Sequence, residues 1–346
     1  MNPRRMDRLS ACVVNMGCHK NQVDAEVIIG LLDDAGYTVV ADPSISDIII
    51  INTCGFIAAA RQESAEMLAE MARYRRDGVL KRLVVAGCMA DRDRRWLLDN
   101  APAPDLFVSS YDLDRIPEYL AAPDGSPPPM SPEAFVWPQS TRWVSTPRSF
   151  GFIKIADGCN NRCTYCRIPH LRGGFRSKNR DDIIAEAEEL IETGRRELVL
   201  LSQDTTAYGS DRSGNGDFTE LVDTLSGLDG LKWLRLMYLY PSRISPRLLD
   251  LMNERETICR YLDIPLQHVN SEVLTKMNRR LPGFAGGNSM PADRFIGEIR
   301  RRVPGITIRT TLMTGFPGES HAAFGEMAAF VEAGHVDHLG VFAWSP

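Results

Sequence analysis

Short aliphatic runs alternate with segments of helical spacing along most of this chain. The alternation breaks once, at a stretch crowded with prolines. Ala11–Asn15 is a short apolar run, and Ala25–Ala35 has helical spacing through Val27, Ile28, Leu31 and Leu32 with Gly36 as its stop. Asp47–Asn52 is centred on a continuous aliphatic run, which a parallel strand buried on both faces requires. Ala58–Tyr74 reads as helix, Arg82–Ala86 and Leu106–Val108 as strands, and Asp112–Leu120 as a last helix. This order predicts an open parallel sheet with helices on both faces over residues 10–122. Pro123, Pro127, Pro128, Pro129, Pro132, Pro138 and Pro147 then predict an extended surface linker over 123–147. From Phe150 strands are expected at Phe150–Ala156, Glu197–Ser202, Trp233–Leu239, Tyr261–Ile264, Thr307–Met313 and Leu339–Trp344. Helices should fall between them, clearest at Asp181–Thr193 and Phe218–Gly227. Six parallel strands with helical crossovers predict a partial (β/α)6 TIM-like barrel over 148–346, with its active site at the carboxyl ends of the strands.

Cys159, Cys163 and Cys166 form a C-x3-C-x2-C triplet just after the first barrel strand. Three thiolates, one short of a full set, suit a cubane 4Fe–4S cluster whose fourth iron is open to a small molecule. The plainer reading is a zinc knuckle completed by His170. Cys18, Cys54 and Cys88 make a second set, 36 and 34 residues apart, each just beyond a strand of the first sheet. Successive parallel strands would deliver three thiolates to the edge where open α/β sheets bind ligands. A glycine beside each (Gly17, Gly55, Gly87) suits close approach of the backbone to a bulky inorganic group. Three unrelated buried cysteines are the alternative. Cys12, inside the first strand, and Cys259, before the fourth barrel strand, read as structural.

The C-x3-C-x2-C spacing, with Tyr165 just before the third cysteine, resembles the radical S-adenosylmethionine (SAM) superfamily. The two triplets together resemble the methylthiotransferases, from about residue 10 to the end of the chain. Four stretches resemble the branch that modifies an aspartate of ribosomal protein S12: Gly17–Asp24, Leu201–Gly209, Leu236–Pro241 and Leu262–His268. The resemblance implies two 4Fe–4S clusters, one held by Cys159, Cys163 and Cys166 and an auxiliary one held by Cys18, Cys54 and Cys88. It also implies SAM as cofactor, with Tyr165, Asp204, Gln267 and Gly315 as candidate contacts. Asp204 would hold the SAM amino group, with a helix N-cap as the alternative role. Gln267, expected to end the fourth barrel strand, would bond the ribose, with a polar barrel-rim residue as the alternative, and the turn Gly315-Phe316-Pro317-Gly318-Glu319 would lie near the adenine, with a purely structural turn as the alternative. Further implied are S12 as substrate, a flavodoxin or ferredoxin reductant, and methylthiolation at the aspartate β-carbon. Alternatives left open are tRNA adenosine, another peptide, and a metal-binding protein without catalysis. The family usually continues past the last barrel strand into a TRAM domain, which is not expected within Pro346. Leu281–Asp293, rich in Gly and Pro, is expected as a surface loop.

Asn160–Arg180 carries Arg162, Arg167, Arg172, Arg176, Lys178 and Arg180 and no acidic residue. It reads as a solvated basic loop or as a site for a carboxylate. The net charge of −5 argues against bulk nucleic-acid binding. No apolar run approaches membrane-helix length, and no signal peptide is apparent. A cytoplasmic location follows, where eight cysteines point to metal chemistry rather than disulfides.

Overall fold

The computed structural model describes residues 8–122, 142–212, 217–281 and 290–345. Most of the expected linker, 123–141, and the middle of the expected 281–293 loop lie outside the described residues. The chain divides into two compact units, Met1–Ser145 with His170–Arg172, and Thr146–Pro169 with Gly173–Pro346.

The first unit runs β1 (Ser10–Asn15), α1 (His19–Asp34), β2 (Thr38–Val39), β3 (Ile48–Thr53), α2 (Ala58–Met71), β4 (Arg82–Gly87), α3 (Arg94–Asn100), β5 (Leu106–Ser109) and α4 (Ile116–Ala121). Its five strands are parallel in the order β2-β1-β3-β4-β5. Side chains alternate between the faces. Ala11, Ile48, Ile50 and Val84 pack under α1 and α4, while Cys12, Ile49, Ile51 and Val85 pack under α2 and α3. All of Ile48–Ile51 is therefore buried, each side chain contributing about 1.5–3 kcal/mol. Cys12 is a core residue, as expected.

Three differences from expectation have local causes. Helix α1 begins at His19, six residues before the expected start, because its first turns are polar yet buried: Lys20, Asn21, Asp24 and Glu26. An apolar period cannot reveal such a face. Asp112–Leu120 divides into a 3-10 turn, Leu113–Arg115, and α4, with Pro117 in the first helical turn, where its missing N–H costs nothing. The two-residue β2 is too short to leave a pattern.

The second unit contains β6 (Phe150–Lys154), β7 (Ala156–Asp157), α5 (Ile168–Arg172, shared with the first unit), β8 (Arg176–Ser177), α6 (Arg180–Glu192), β9 (Glu197–Leu201), α7 (Phe218–Ser226), β10 (Trp233–Leu236), α8 (Pro246–Glu254), β11 (Ile258–Asp263), α9 (Ser271–Lys276), α10 (Ala292–Arg302), β12 (Thr307–Thr314), α11 (His321–Glu332) and β13 (His338–Ala343). Six parallel strands lie in the order β13-β12-β11-β10-β9-β6, the sequential winding of a partial barrel. The expected first strand is cut at Lys154, and the chain turns into a short antiparallel ribbon, β7 with β8. The expected third strand stops at Leu236 because Tyr238 adopts a positive φ of 59°. Cys259 lies inside β11, half-buried, rather than before it. Helix α10 starts at Ala292, so the end of the expected 281–293 loop is helical.

Candidate metal centres

The first centre is built at the carboxyl ends of β1, β3 and β4, three neighbouring strands. Cys54 and Cys88 directly follow β3 and β4, and Cys18 is the N-cap residue of α1. Asn21, one turn into α1, organises them. Its amide nitrogen donates to the carbonyls of Met16 and Thr53, both at 3.0 Å. Its Oδ1 lies 3.9 Å from the Sγ of Cys18 and 3.9 Å from that of Cys88. A Cβ at Gly17, where φ is +90°, would stand 2.8 Å from Cys54 Cβ and 3.0 Å from its Sγ. Gly87 (φ +83°) would collide with Asn52 Oδ1, and Gly55 would meet Asp93 Oδ2 and Met89 Cγ at 3.0 Å. Protein atoms, including the cysteine itself, crowd these glycines, a reason for them that the sequence does not show.

Arg172 belongs to this unit. It pairs with Asp24 at 2.7 Å, donates to Asn21 Oδ1 at 2.6 Å and places its Nε 3.1 Å from Cys88 Sγ. It is 1 % exposed, so it is not part of a solvated basic loop. Lys178 and Arg180 of the same stretch are also committed, to Glu186 at 2.5 Å and Thr224 at 2.6 Å. Sequence reasoning missed Asn21 as a site residue and missed the place of Arg172 beside Cys88, because buried polarity carries no periodic signal.

The second centre lies on the loop between β7 and β8, which the ribbon pins at both ends. Gly158 (φ +74°) precedes Cys159, and a side chain there would strike the Gly174 carbonyl. Cys159 N donates to the Gly173 carbonyl at 3.1 Å, and Cys166 N to that of Cys163 at 3.0 Å. Residues 276–279 grip the loop from outside: Thr164 donates through N to Met277 O (3.1 Å) and through Oγ1 to Lys276 O (3.0 Å), while Asn278 Nδ2 donates to Arg162 O at 2.9 Å. Buried Arg279 lies 3.6 Å from Cys163 Sγ and 3.4 Å from the Tyr165 hydroxyl, with Tyr240 OH 4.0 Å from the same sulfur.

Asp204 sits at the N-cap position of the 3-10 turn Thr205–Ala207, but its carboxylate does not cap. It accepts from Asn161 Nδ2, Arg243 and Thr206 Oγ1, all at 2.7 Å, tying the cysteine loop to the rim of the sheet. Gln203 Nε2 donates to Asp157 at 2.7 Å, while its buried Oε1 has no hydrogen-bond partner among the described residues. Gln267 does not end a strand as expected. It lies four residues beyond β11 in a left-handed conformation (φ 73°), with its N bonded to Thr311 O and its O to Met313 N. Gly315 (φ +78°) follows β12; a Cβ there would meet nothing within 4 Å, so dihedral rather than space calls for glycine. Its N–H donates to Glu319, whose other oxygen meets His268 Nε2 at 3.1 Å.

All eight cysteines are free thiols. Burial pushes Cys54 and Cys166 up to about 11 and raises Cys159. Burial also raises Cys88, with Arg172 opposing it. Such thiols stay protonated near neutrality until a metal displaces the proton. Among the described residues no group of three or more His, Cys, Asp or Glu side chains is disposed to hold a single metal ion. His170, the fourth ligand of the zinc-knuckle alternative, is exposed. Both thiol sets suit soft iron. At the second, a 7 % exposed guanidinium, Arg279, has no carboxylate partner among the described residues and an unpartnered Nε, as an anionic thiolate-ligated group would require.

Residues 10–109 match the uncharacterized protein family UPF0004, and residues 153–331 match the radical SAM superfamily. The chain is 41% identical over 337 residues to the ribosomal protein uS12 methylthiotransferase RimO of Geotalea uraniireducens, covering 96% of this chain and 74% of that protein. It is 40% identical over 344 residues to the protein of the same name from Syntrophotalea carbinolica, covering 98% and 74%. The chain belongs to the RimO-like methylthiotransferases of the radical SAM superfamily. It is therefore a SAM-dependent radical transferase of the methylthio group, with SAM and 4Fe–4S clusters as cofactors. Among solved structures it resembles the radical SAM methyltransferase TsrM from Kitasatospora setae, with a TM-score of 0.68 and 16% identity over 97% of this chain and 73% of that one. It also resembles the cobalamin-dependent SAM radical enzyme OxsB, with a TM-score of 0.60 and 11% identity over 94% and 52%. At these identities the likeness speaks for the fold. Among the described residues no helix is long and apolar enough to cross a membrane.

Proposed function

We propose that the chain adds a methylthio group to the β-carbon of an aspartate of ribosomal protein S12. The observation that carries this reading is the likeness, over 96% of the chain, to a relative named ribosomal protein uS12 methylthiotransferase; the aspartate β-carbon is what the family resemblance implies. Cys159, Cys163 and Cys166 ligate one 4Fe–4S cluster, and Cys18, Cys54 and Cys88 the other. When bound, the clusters and SAM supply reductive SAM cleavage, a hydrogen-abstracting radical and a site for the transferred sulfur.

The chain's own residues prepare these sites. The β7–β8 ribbon and residues 276–279 hold the cysteine loop in one conformation, so little ordering remains when it is loaded. Asn21 spaces Cys18 from Cys88. Asp204 orients the loop through Asn161 and would, with Gln203, hold the SAM amino group. Tyr165 would adjoin the cluster, Gln267 would bond the ribose, and the Gly315 turn, tied by Glu319, would take the adenine. A flavodoxin or ferredoxin supplies electrons, and a ribosomal-protein substrate sets the reaction in the cytoplasm.

The test is mass spectrometry of S12 and tRNA after incubation with the reduced, anaerobically reconstituted chain. Replacing hydrogen by methylthio adds about 46 Da to the S12 aspartate. The same addition on tRNA adenosine, or only on another peptide, would overturn the substrate assignment.

A further inference from the structure

Arg279 is a cation in an unusual position. Only 7 % of it is exposed, and no carboxylate pairs with it among the described residues. Its Nη2 donates to the Pro265 carbonyl, its Nη1 lies 3.6 Å from Cys163 Sγ and 3.4 Å from the Tyr165 hydroxyl, and its Nε has no hydrogen-bond partner among the described residues. The guanidinium carbon stands 4.4 Å from the centre of the Tyr240 ring. Carbonyl, phenol and ring face supply only partial negative charge. A buried cation without a counterion is costly by several kcal/mol. The remaining group at hydrogen-bonding distance is the Cys163 sulfur, which would be anionic once it ligates a metal group.

We propose that Arg279 is the fixed counter-charge of the group held by Cys159, Cys163 and Cys166, donating to the Cys163 thiolate and raising the reduction potential of that cluster. This rests on the reading that these three cysteines ligate a 4Fe–4S cluster. Reduction takes one electron from a low-potential donor and makes the thiolate-ligated group one unit more negative, with no bond made or broken. A cation at this distance favours the more negative state, and hydrogen bonds to the sulfurs act in the same sense. The placement is built rather than incidental. The neighbouring Met277 and Asn278 hold the cysteine loop, and Arg279 N is anchored to Leu274 O at 2.8 Å. Tyr240 restrains the guanidinium face and comes within 4.0 Å of the same sulfur. Arg279 is therefore a positioning and tuning residue, not a catalytic one.

The experiment uses the full chain carrying Cys18→Ala, Cys54→Ala and Cys88→Ala, so that one cluster is read. Iron per chain, the electron paramagnetic resonance signal of the reduced state and the midpoint potential are measured for this parent and for Arg279→Met, Arg279→Gln and Arg279→Lys. With iron content unchanged, Met and Gln should lower the ratio of reduced to oxidised cluster at a fixed potential about tenfold, equivalent to about 59 mV. Lys, which keeps the charge, should lie nearer the parent. An unchanged midpoint in a fully loaded Met or Gln variant overturns the proposal, as does a Lys variant no closer to the parent than Gln. Should the Met variant not fold, Gln decides the matter, since its amide still reaches a carbonyl acceptor. Loss of iron from both neutral variants assigns Arg279 a structural role and likewise overturns it. A parent that binds no iron overturns the ligand assignment instead.

Discussion

Gly17→Ala tests the packing of the first centre. The new methyl group would stand 2.8 Å from Cys54 Cβ, 3.0 Å from its Sγ and 3.3 Å from Asn21 Nδ2. Two costs add. Holding an alanine at φ +90° costs about 1–2 kcal/mol. The overlap is relieved only by moving Cys54, whose N and O are both bonded to Ser64 Oγ (3.2 and 3.0 Å), and such overpacking costs about 1–3 kcal/mol. The total, about 2–5 kcal/mol, is a large part of the roughly 5–15 kcal/mol that holds a domain together. Gly36→Ala is the control: its φ is +88°, yet a Cβ there meets nothing within 4 Å, so only the dihedral cost applies. The assay is urea unfolding of both variants and the unchanged chain followed by circular dichroism, with iron uptake per chain measured alongside. Gly17→Ala should unfold at clearly lower urea than Gly36→Ala and lose iron from the first centre. Equal midpoints for the two variants, or full iron in Gly17→Ala, would refute the argument that Cys54 occupies that space.

Three further outcomes are expected. Replacing Cys159, Cys163 and Cys166 with Ala should leave about half of the iron of a two-cluster protein and abolish 5′-deoxyadenosine formation. Replacing Cys18, Cys54 and Cys88 should instead leave that formation intact and remove the methylthio product, and equal loss in both variants would contradict the division. His268→Ala removes the acceptor of Asn270 N (2.9 Å) and the donor to Glu319, so calorimetry should find weaker SAM binding as the Gly315 turn loosens, at a stability cost of about 1–3 kcal/mol. At Asp47 burial alone would raise the carboxyl, but bonds from Lys81 and Ser10 outweigh it and hold it below the ordinary value. A depressed folded value means stability present above the unfolded carboxylate range and lost as pH falls through the folded value. Asp47→Asn should flatten the acid limb of a urea-midpoint profile, and an unchanged limb would show that another group controls it.

The sequence by itself determined the two α/β units and nearly every strand, and it singled out six cysteines as candidate ligands. Buried parallel strands must be apolar on both faces, and soft-metal ligands must be thiols, so Ile48–Ile51 and the C-x3-C-x2-C spacing announce themselves without coordinates. Tertiary structure decided what lies around those sulfurs. The polar start of α1 gives no amphipathic signal, because Asn21 and Asp24 are buried by partners far along the chain, among them Arg172. The commitment of Arg172, Lys178 and Arg180 turned a basic-looking stretch into separate buried and part-buried contacts. Gln267 lies past its expected strand end because β11 stops at Asp263, and β7 and β8 form only because two short segments meet. A periodic pattern records which face of an element is apolar. The partner of a buried polar group depends on distances between residues up to 151 positions apart, as for Arg172 and Asn21, and only the folded chain sets those distances.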